Sequence, residues 1–310
     1  MGGHLSEDRY PVTVTHDHGI RTLALDSPHN RNALSARMVA ALYAALEEAE
    51  SDPETRAVLL THTGSTFCAG ADLSEASGTA AGPTGERDKA SGGTAHDKAS
   101  GATARSTAHD RASEGTAAGT ASSAPSAVDG PLALARLLRT LVAFPKPVVA
   151  RVTGHVRAGG TGLLAACDIS VAGPGATFAF TEARIGVAPA VISLPVLPRM
   201  DARAAARYWL TGERFGPEEA ARIGLVTLAA EDPDAALVPV LDGLRRGSPQ
   251  GLRESKRLVG QEVLAAFDRD AGTLAELSAR LFASAEAREG MTAFLERRDP
   301  EWAARNPPGR

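Results

Sequence analysis

Between about Ala76 and Val128 the chain carries no Leu, Ile, Phe, Tyr or Trp. Burial of large apolar side chains offsets the entropy lost on ordering a chain, so this stretch has nothing to fold around. It is almost all Ala, Gly, Ser, Thr and charge. Within it stand three near-copies, Asp88-Lys-Ala-Ser-Gly-Gly-Thr-Ala95, Asp97-Lys-Ala-Ser-Gly-Ala-Thr-Ala104 and Asp110-Arg-Ala-Ser-Glu-Gly-Thr-Ala117. Short degenerate repeats of this composition read as an expanded, solvated linker, with a lid or partner-binding segment as the lesser alternative. Any core must be built jointly by the residues before and after it. At 310 residues and 43% hydrophobic content, the chain has enough material for that.

The flanks alternate strand and helix. Val12-Thr-Val14 and Ile20 to Leu25 surround Asp17-His-Gly19 and predict a β-hairpin. Ser35 caps a predicted helix over 36–49, with Met38, Leu42, Ala45, Leu46 and Ala49 at helical spacing. Apolar runs at 57–61, 148–152, 169–172 and 177–179 read as strands, and 132–141 as a helix. Beyond Asp201 the pattern is helical, with candidates at 202–210, 217–222, 233–245, 249–268, 271–285 and 287–298. An α/β core followed by a helical region is expected, divided as 1–200 and 201–310, with the insertion at about 76–128 interrupting the core.

Charge and cysteine usage exclude several classes. A net charge of −4 with scattered arginines gives none of the basic footprint that nucleic-acid binding needs. Met1 to Tyr10 has no apolar signal core, and no stretch reaches the roughly 18 apolar residues of a membrane span, so a cytoplasmic protein is expected. Cys68 and Cys167 read as reduced, buried thiols, and the histidines show no metal-ligand spacing, so no metal is expected.

Two glycine-rich turns carry the chemistry. Phe67-Cys-Ala-Gly-Ala-Asp72 follows the 57–61 strand, and Thr153-Gly-His-Val-Arg-Ala-Gly-Gly-Thr161 follows the 148–152 strand and opens a short helix. Small residues let backbone N–H groups approach a ligand closely, and a helix start puts positive dipole behind them. Two such turns can aim two N–H groups at one carbonyl oxygen, the arrangement of an oxyanion hole. Glu182, in the mostly apolar Phe178-Ala-Phe-Thr-Glu-Ala-Arg-Ile-Gly186, is the candidate proton-transfer group, with an ion pair to Arg184 or a neighbouring arginine as the bland alternative.

In combination these segments resemble the crotonase, or enoyl-CoA hydratase/isomerase, superfamily. Phe67-Cys-Ala-Gly-Ala-Asp-Leu73 resembles one family signature, and Lys146-Pro-Val-Val-Ala150 with Gly154, Ala158-Gly-Gly160 and Ala-Cys-Asp168 a second. Pro28 to Leu34, Phe178 to Gly186, Leu210 to Glu213, Ala220 to Val226 and Met291 to Trp302 are similar to further family segments. The resemblance implies an α/β, crotonase-like fold of repeated β-β-α units, with a C-terminal helical region that builds a homotrimer or dimer of trimers. It implies an acyl-CoA thioester as substrate and no separate cofactor.

Carried over by position, Ala71 and Gly159 would donate the two N–H groups and Glu182 would be the acid/base. Ala69, Gly70, Asp72, Leu73, Gly160 and Thr161 would line the substrate, and Arg31 and Arg297 would meet CoA phosphate. Asp72 and Asp168 also read as turn residues bonding local backbone, and His155 and Arg157 as pocket-lining or structural. One departure stands out: family hydratases commonly use two glutamates, and Gly162 occupies the place of the first. A hydratase would then need Thr161 to hold the water, another acid, or Glu182 acting twice. A 3,2-enoyl-CoA isomerase needs only one carboxylate, and a non-catalytic acyl-CoA-binding protein needs none. Hydratase is the leading expectation, on the resemblance of Arg184 to Ser193 to a hydratase subgroup. A serine or cysteine hydrolase, suggested by Cys68 beside the first turn, lacks a nearby His and Asp in a recognisable order.

Overall fold

The computed structural model describes residues 11–72 and 126–305. Most of the low-complexity insertion, its repeats, Leu73 and the first ten residues lie outside them. Strand β1 (Val12–Asp17) turns into β2 (Ile20–Leu25) through His18 and Gly19, both with positive φ, as a tight antiparallel hairpin requires. Helix α1 (Ala36–Ser51) starts where the Ser35 side chain accepts the Met38 N–H, and it buries the five residues of its predicted stripe.

Three strand pairs follow. Strand β3 (Ala57–His62) leads to β4 (Thr66–Cys68). Helix α2 (Asp129–Ala143) precedes β5 (Val148–Val152), β6 (His155–Arg157) and helix α3 (Gly159–Ala166). Strands β7 (Ile169–Ala172) and β8 (Thr177–Ala179) then lead to a 3-10 turn, Glu182–Ile185. The first member of each pair joins a six-stranded sheet of order β1-β2-β3-β5-β7-β9, where β9 is Leu228–Ala229. The second joins a three-stranded sheet, β4-β6-β8, parallel throughout. The chain thus steps from the large sheet to the small one three times. Strands β3, β5 and β7 are mostly apolar because helices cover their sheet.

The rest is helical: α4 (Ser193–Val196), α5 (Ala202–Thr211), α6 (Pro217–Arg222), α7 (Pro233–Arg246), α8 (Pro249–Phe282), α9 (Ala285–Glu296) and α10 (Glu301–Ala304). Helix α8 corrects the expectation of two helices over 249–268 and 271–285. Gly272 lies inside it in open space, and a mid-helix glycine costs only about 1 kcal/mol. Burial of Val263 and Phe267 before it and of Ala275, Ser278 and Ala279 after it outweighs that cost.

Helix α8 packs along α2 and is pinned by an ion pair between a buried lysine and a partly buried aspartate. Lys256 Nζ lies 2.8 Å from Asp168 Oδ2 and also donates to the carbonyls of Leu141 and Lys146. Asp168 in turn accepts the Val148 N–H at 2.7 Å. A charge pair removed from water is tolerated only when its remaining bonding capacity is met, as here. The pair fixes the exit of α3 and the start of β5 to the helical region.

Candidate active site

The three chemistry-bearing segments leave the small sheet at one end. The first glycine turn follows β4, the second follows β6 and Glu182 follows β8; the parallel register sets Cys68 beside Val156 and Val156 beside Phe178. Loops at the carboxyl ends of adjacent parallel strands converge, which is how such sheets assemble sites from residues distant in sequence.

The two turns touch backbone to backbone. Gly70 has φ +99°, and a Cβ there would stand 2.6 Å from Ala158 Cβ and 3.0 Å from Gly159 N. A Cβ on Gly160 would stand 2.5 Å from the Cys68 carbonyl oxygen. Ala158, at φ 46° and ψ −126°, adopts a conformation rare for any residue but glycine, and α3 begins immediately after it. Among the described residues neither the Ala71 nor the Gly159 N–H has a protein acceptor. Two free donors on adjoining turns are what a negatively charged oxygen would need.

The first turn is also held from behind. Ala69 N–H donates to Arg31 O at 3.1 Å, and Leu34 N–H to Gly70 O at 2.7 Å. Asn32 is fully buried: its Nδ2 donates to Thr63 O and Thr66 O while its Oδ1 accepts the Ser27 N–H. The Pro28 to Leu34 segment therefore braces the first turn. Sequence reasoning registered that segment only as a resemblance, and the paired left-handed residues Arg31 and Asn32 are the local signal of its tight turn.

Glu182 is the one buried carboxylate among the described residues, 8% exposed, and its Oε2 meets no hydrogen-bond partner. Burial pushes its pKa from 4.5 to about 7, with its own backbone N–H acting weakly the other way. The ion pair with Arg184 does not form: Arg184 Nε donates instead to Thr211 O at 2.8 Å. Gly162 is packed, since a Cβ there would lie 2.7 Å from Ile192 Cγ2 and 2.9 Å from Leu138 Cδ1. Apolar side chains fill the space at that helix position.

The other candidates fall as follows. Gly160 and Thr161 are buried in α3, the Thr161 hydroxyl without a partner. Asp72 is half-buried after the first turn, with Asn30 Nδ2 3.5 Å from its Oδ2. Arg31 has an exposed side chain beside that turn, and Arg297 is exposed at the C-terminal cap of α9. Arg157 is occupied with the Val156 and Thr177 carbonyls and the Thr177 hydroxyl, and His155 with that same hydroxyl. Burial pushes the Cys68 thiol up to about 12, which removes it as a thiolate nucleophile.

The fold has close counterparts. A family model described as enoyl-CoA hydratase/isomerase matches residues 15–93 and 121–305, and the chain belongs to that family, the crotonase superfamily. An enoyl-CoA hydratase from Mycobacterium avium superposes with a TM-score of 0.76 at 46% identity, covering 95% of this chain and 99% of that one. The mevalonyl-coenzyme A hydratase of Aspergillus fumigatus is 29% identical over 289 residues, 91% of each chain. Enoyl-CoA hydratase EchA19 of Mycobacterium tuberculosis is 28% identical over 293 residues, 91% of this chain and 92% of that one. Membership implies an enzyme acting on an acyl-CoA. No helix among the described residues is long and apolar enough to cross a membrane.

Proposed function

We propose that this protein is an enoyl-CoA hydratase that works with one carboxylate. The thioester oxygen of a 2-enoyl-CoA accepts the Ala71 and Gly159 N–H groups, and negative charge gathers on that oxygen as water adds at the β carbon. Each such donor is worth roughly a hundred- to a thousandfold in rate. Glu182 takes a proton from the adding water and returns one to the α carbon as the enolate collapses. The observation that carries this reading is the buried Glu182 with an unpartnered Oε2 and a pKa near 7. At that value both protonation states are populated near neutral pH, which suits a group that must first accept and then give a proton.

The packing of Gly162 against Ile192 and Leu138 favours one further reading. With no acid at that position, the site suits a 3,2-enoyl-CoA isomerase, in which Glu182 removes a proton from the α carbon and returns it at the γ carbon. An absorbance assay separates the two. Loss of the conjugated-thioester signal from 2-enoyl-CoA esters marks hydration, and its appearance from 3-enoyl-CoA esters marks isomerisation. If neither changes while acyl-CoA still binds, both readings fail. The family resemblance supports assembly into a homotrimer or dimer of trimers, with exposed Leu258 and Val259 on α8 and Phe294 and Leu295 on α9 as apolar side chains such an assembly could cover. Light scattering of the purified protein would test that.

A further inference from the structure

The Glu182 carboxylate has no partner on Oε2 to aim it, so its direction depends on the backbone of the four-residue turn that carries it. That turn is gripped from outside at three points. Arg184 Nε donates to Thr211 O at the end of α5, and the arginine side chain fills the space that a Cβ on Gly212 would need, 2.6 Å from Nε. Helix α9 makes the other two contacts. A Cβ on Gly290 would stand 2.5 Å from the carbonyl carbon and oxygen of Ile185, and one on Gly186 would stand 2.6 Å from the carbonyl carbon of Glu286. Helix and turn thus meet backbone to backbone, and glycine on both surfaces is what allows it.

We propose that Arg184 and Gly290 are positioning residues for Glu182, setting where its carboxylate stands without touching substrate. This rests on Glu182 being the acid/base. The turn is only four residues long, so a displacement at Arg184 or Ile185 reaches Glu182 within a few peptide units. Adding a methyl at Gly290 requires the helix and turn to part by about 0.9 Å to reach ordinary contact, and misplacement on the order of 1 Å can cost a hundredfold in rate. A role in stability alone would lower the melting temperature and leave the chemistry intact.

The test compares Gly290→Ala, Arg184→Gln and Arg184→Lys with wild type and Glu182→Gln, measuring kcat and KM for an enoyl-CoA that wild type turns over, from about pH 5 to 9. Gly290→Ala and Arg184→Gln are expected to lower kcat roughly ten- to a hundredfold with little change in KM, and to shift the limb of the pH profile that belongs to Glu182. Arg184→Lys, which keeps a donor for Thr211 O, should recover most of the loss. Arg184 is exposed, so its variants decide the matter should Gly290→Ala fail to fold. Unchanged kcat and pH profiles beside an inactive Glu182→Gln would overturn the positioning role alone. Full activity in Glu182→Gln would overturn the acid/base reading and the positioning role with it.

Discussion

Gly160→Ala is the substitution that most directly tests whether the contact between the two glycine turns matters. A Cβ there would sit 2.5 Å from the Cys68 carbonyl oxygen and 2.7 Å from Cys68 Cβ. Restoring ordinary contact at 3.4 Å means parting α3 from the end of β4 by about 0.9 Å. Because Cys68 precedes the first turn and Gly159 opens the second, that movement changes the spacing of the two free N–H groups. Two effects oppose each other. Alanine favours the helix by about 1 kcal/mol over glycine, while overpacking costs about 1–3 kcal/mol. The net destabilisation should therefore be modest, at most about 2 kcal/mol. The loss in kcat should be larger, roughly tenfold to a hundredfold, since the donors would no longer meet one oxygen together. Steady-state kinetics on an enoyl-CoA substrate, with a thermal melt of the same sample, would show it. A variant that melts lower but keeps wild-type kcat would refute the argument that this contact sets the donor spacing.

Two further outcomes follow from the buried charges. Lys256→Met leaves Asp168 and two carbonyls without their shared donor, so denaturant unfolding should show a loss of about 3–5 kcal/mol; a loss below about 1 kcal/mol would contradict the anchoring role of the pair. Glu182 in the folded state holds its proton up to about pH 7, whereas the unfolded chain releases it near 4.5. Stability is therefore lost as pH rises through that window, by roughly 3 kcal/mol at its upper end. Glu182→Gln should melt above wild type at about pH 8, with the gap closing toward about pH 4.5; a gap that does not narrow would refute that link.

Much of this was legible in the residues themselves. The hairpin, the buried stripe of α1 and the strands β5, β7 and β8 follow from short-range periodicity and turn chemistry, which packing then reinforces. The two glycine turns and Glu182 were visible as motifs. Their convergence was not, because β4 runs into the first glycine motif and β6 lies inside the second, so neither shows a strand pattern of its own. The parallel pairing of β4, β6 and β8 joins segments far apart in sequence, so local pattern could not reveal it. For the same reason, Gly162 meeting Ile192 and Arg184 bonding Thr211 emerge only from the fold. The merging of 249–268 and 271–285 into the single helix α8 was hidden likewise, since it rests on burial of Val263 and Phe267 on one side of the gap and of Ala275, Ser278 and Ala279 on the other.

The central claim is that one buried carboxylate performs the proton transfer. Its most direct test is turnover of a 2-enoyl-CoA and a 3-enoyl-CoA by wild type and by Glu182→Gln, with acyl-CoA affinity measured on both proteins. A fall in kcat of roughly a hundred- to ten-thousandfold for whichever substrate wild type turns over, with affinity preserved, is the predicted result. Turnover by Glu182→Gln within a few-fold of wild type would contradict it.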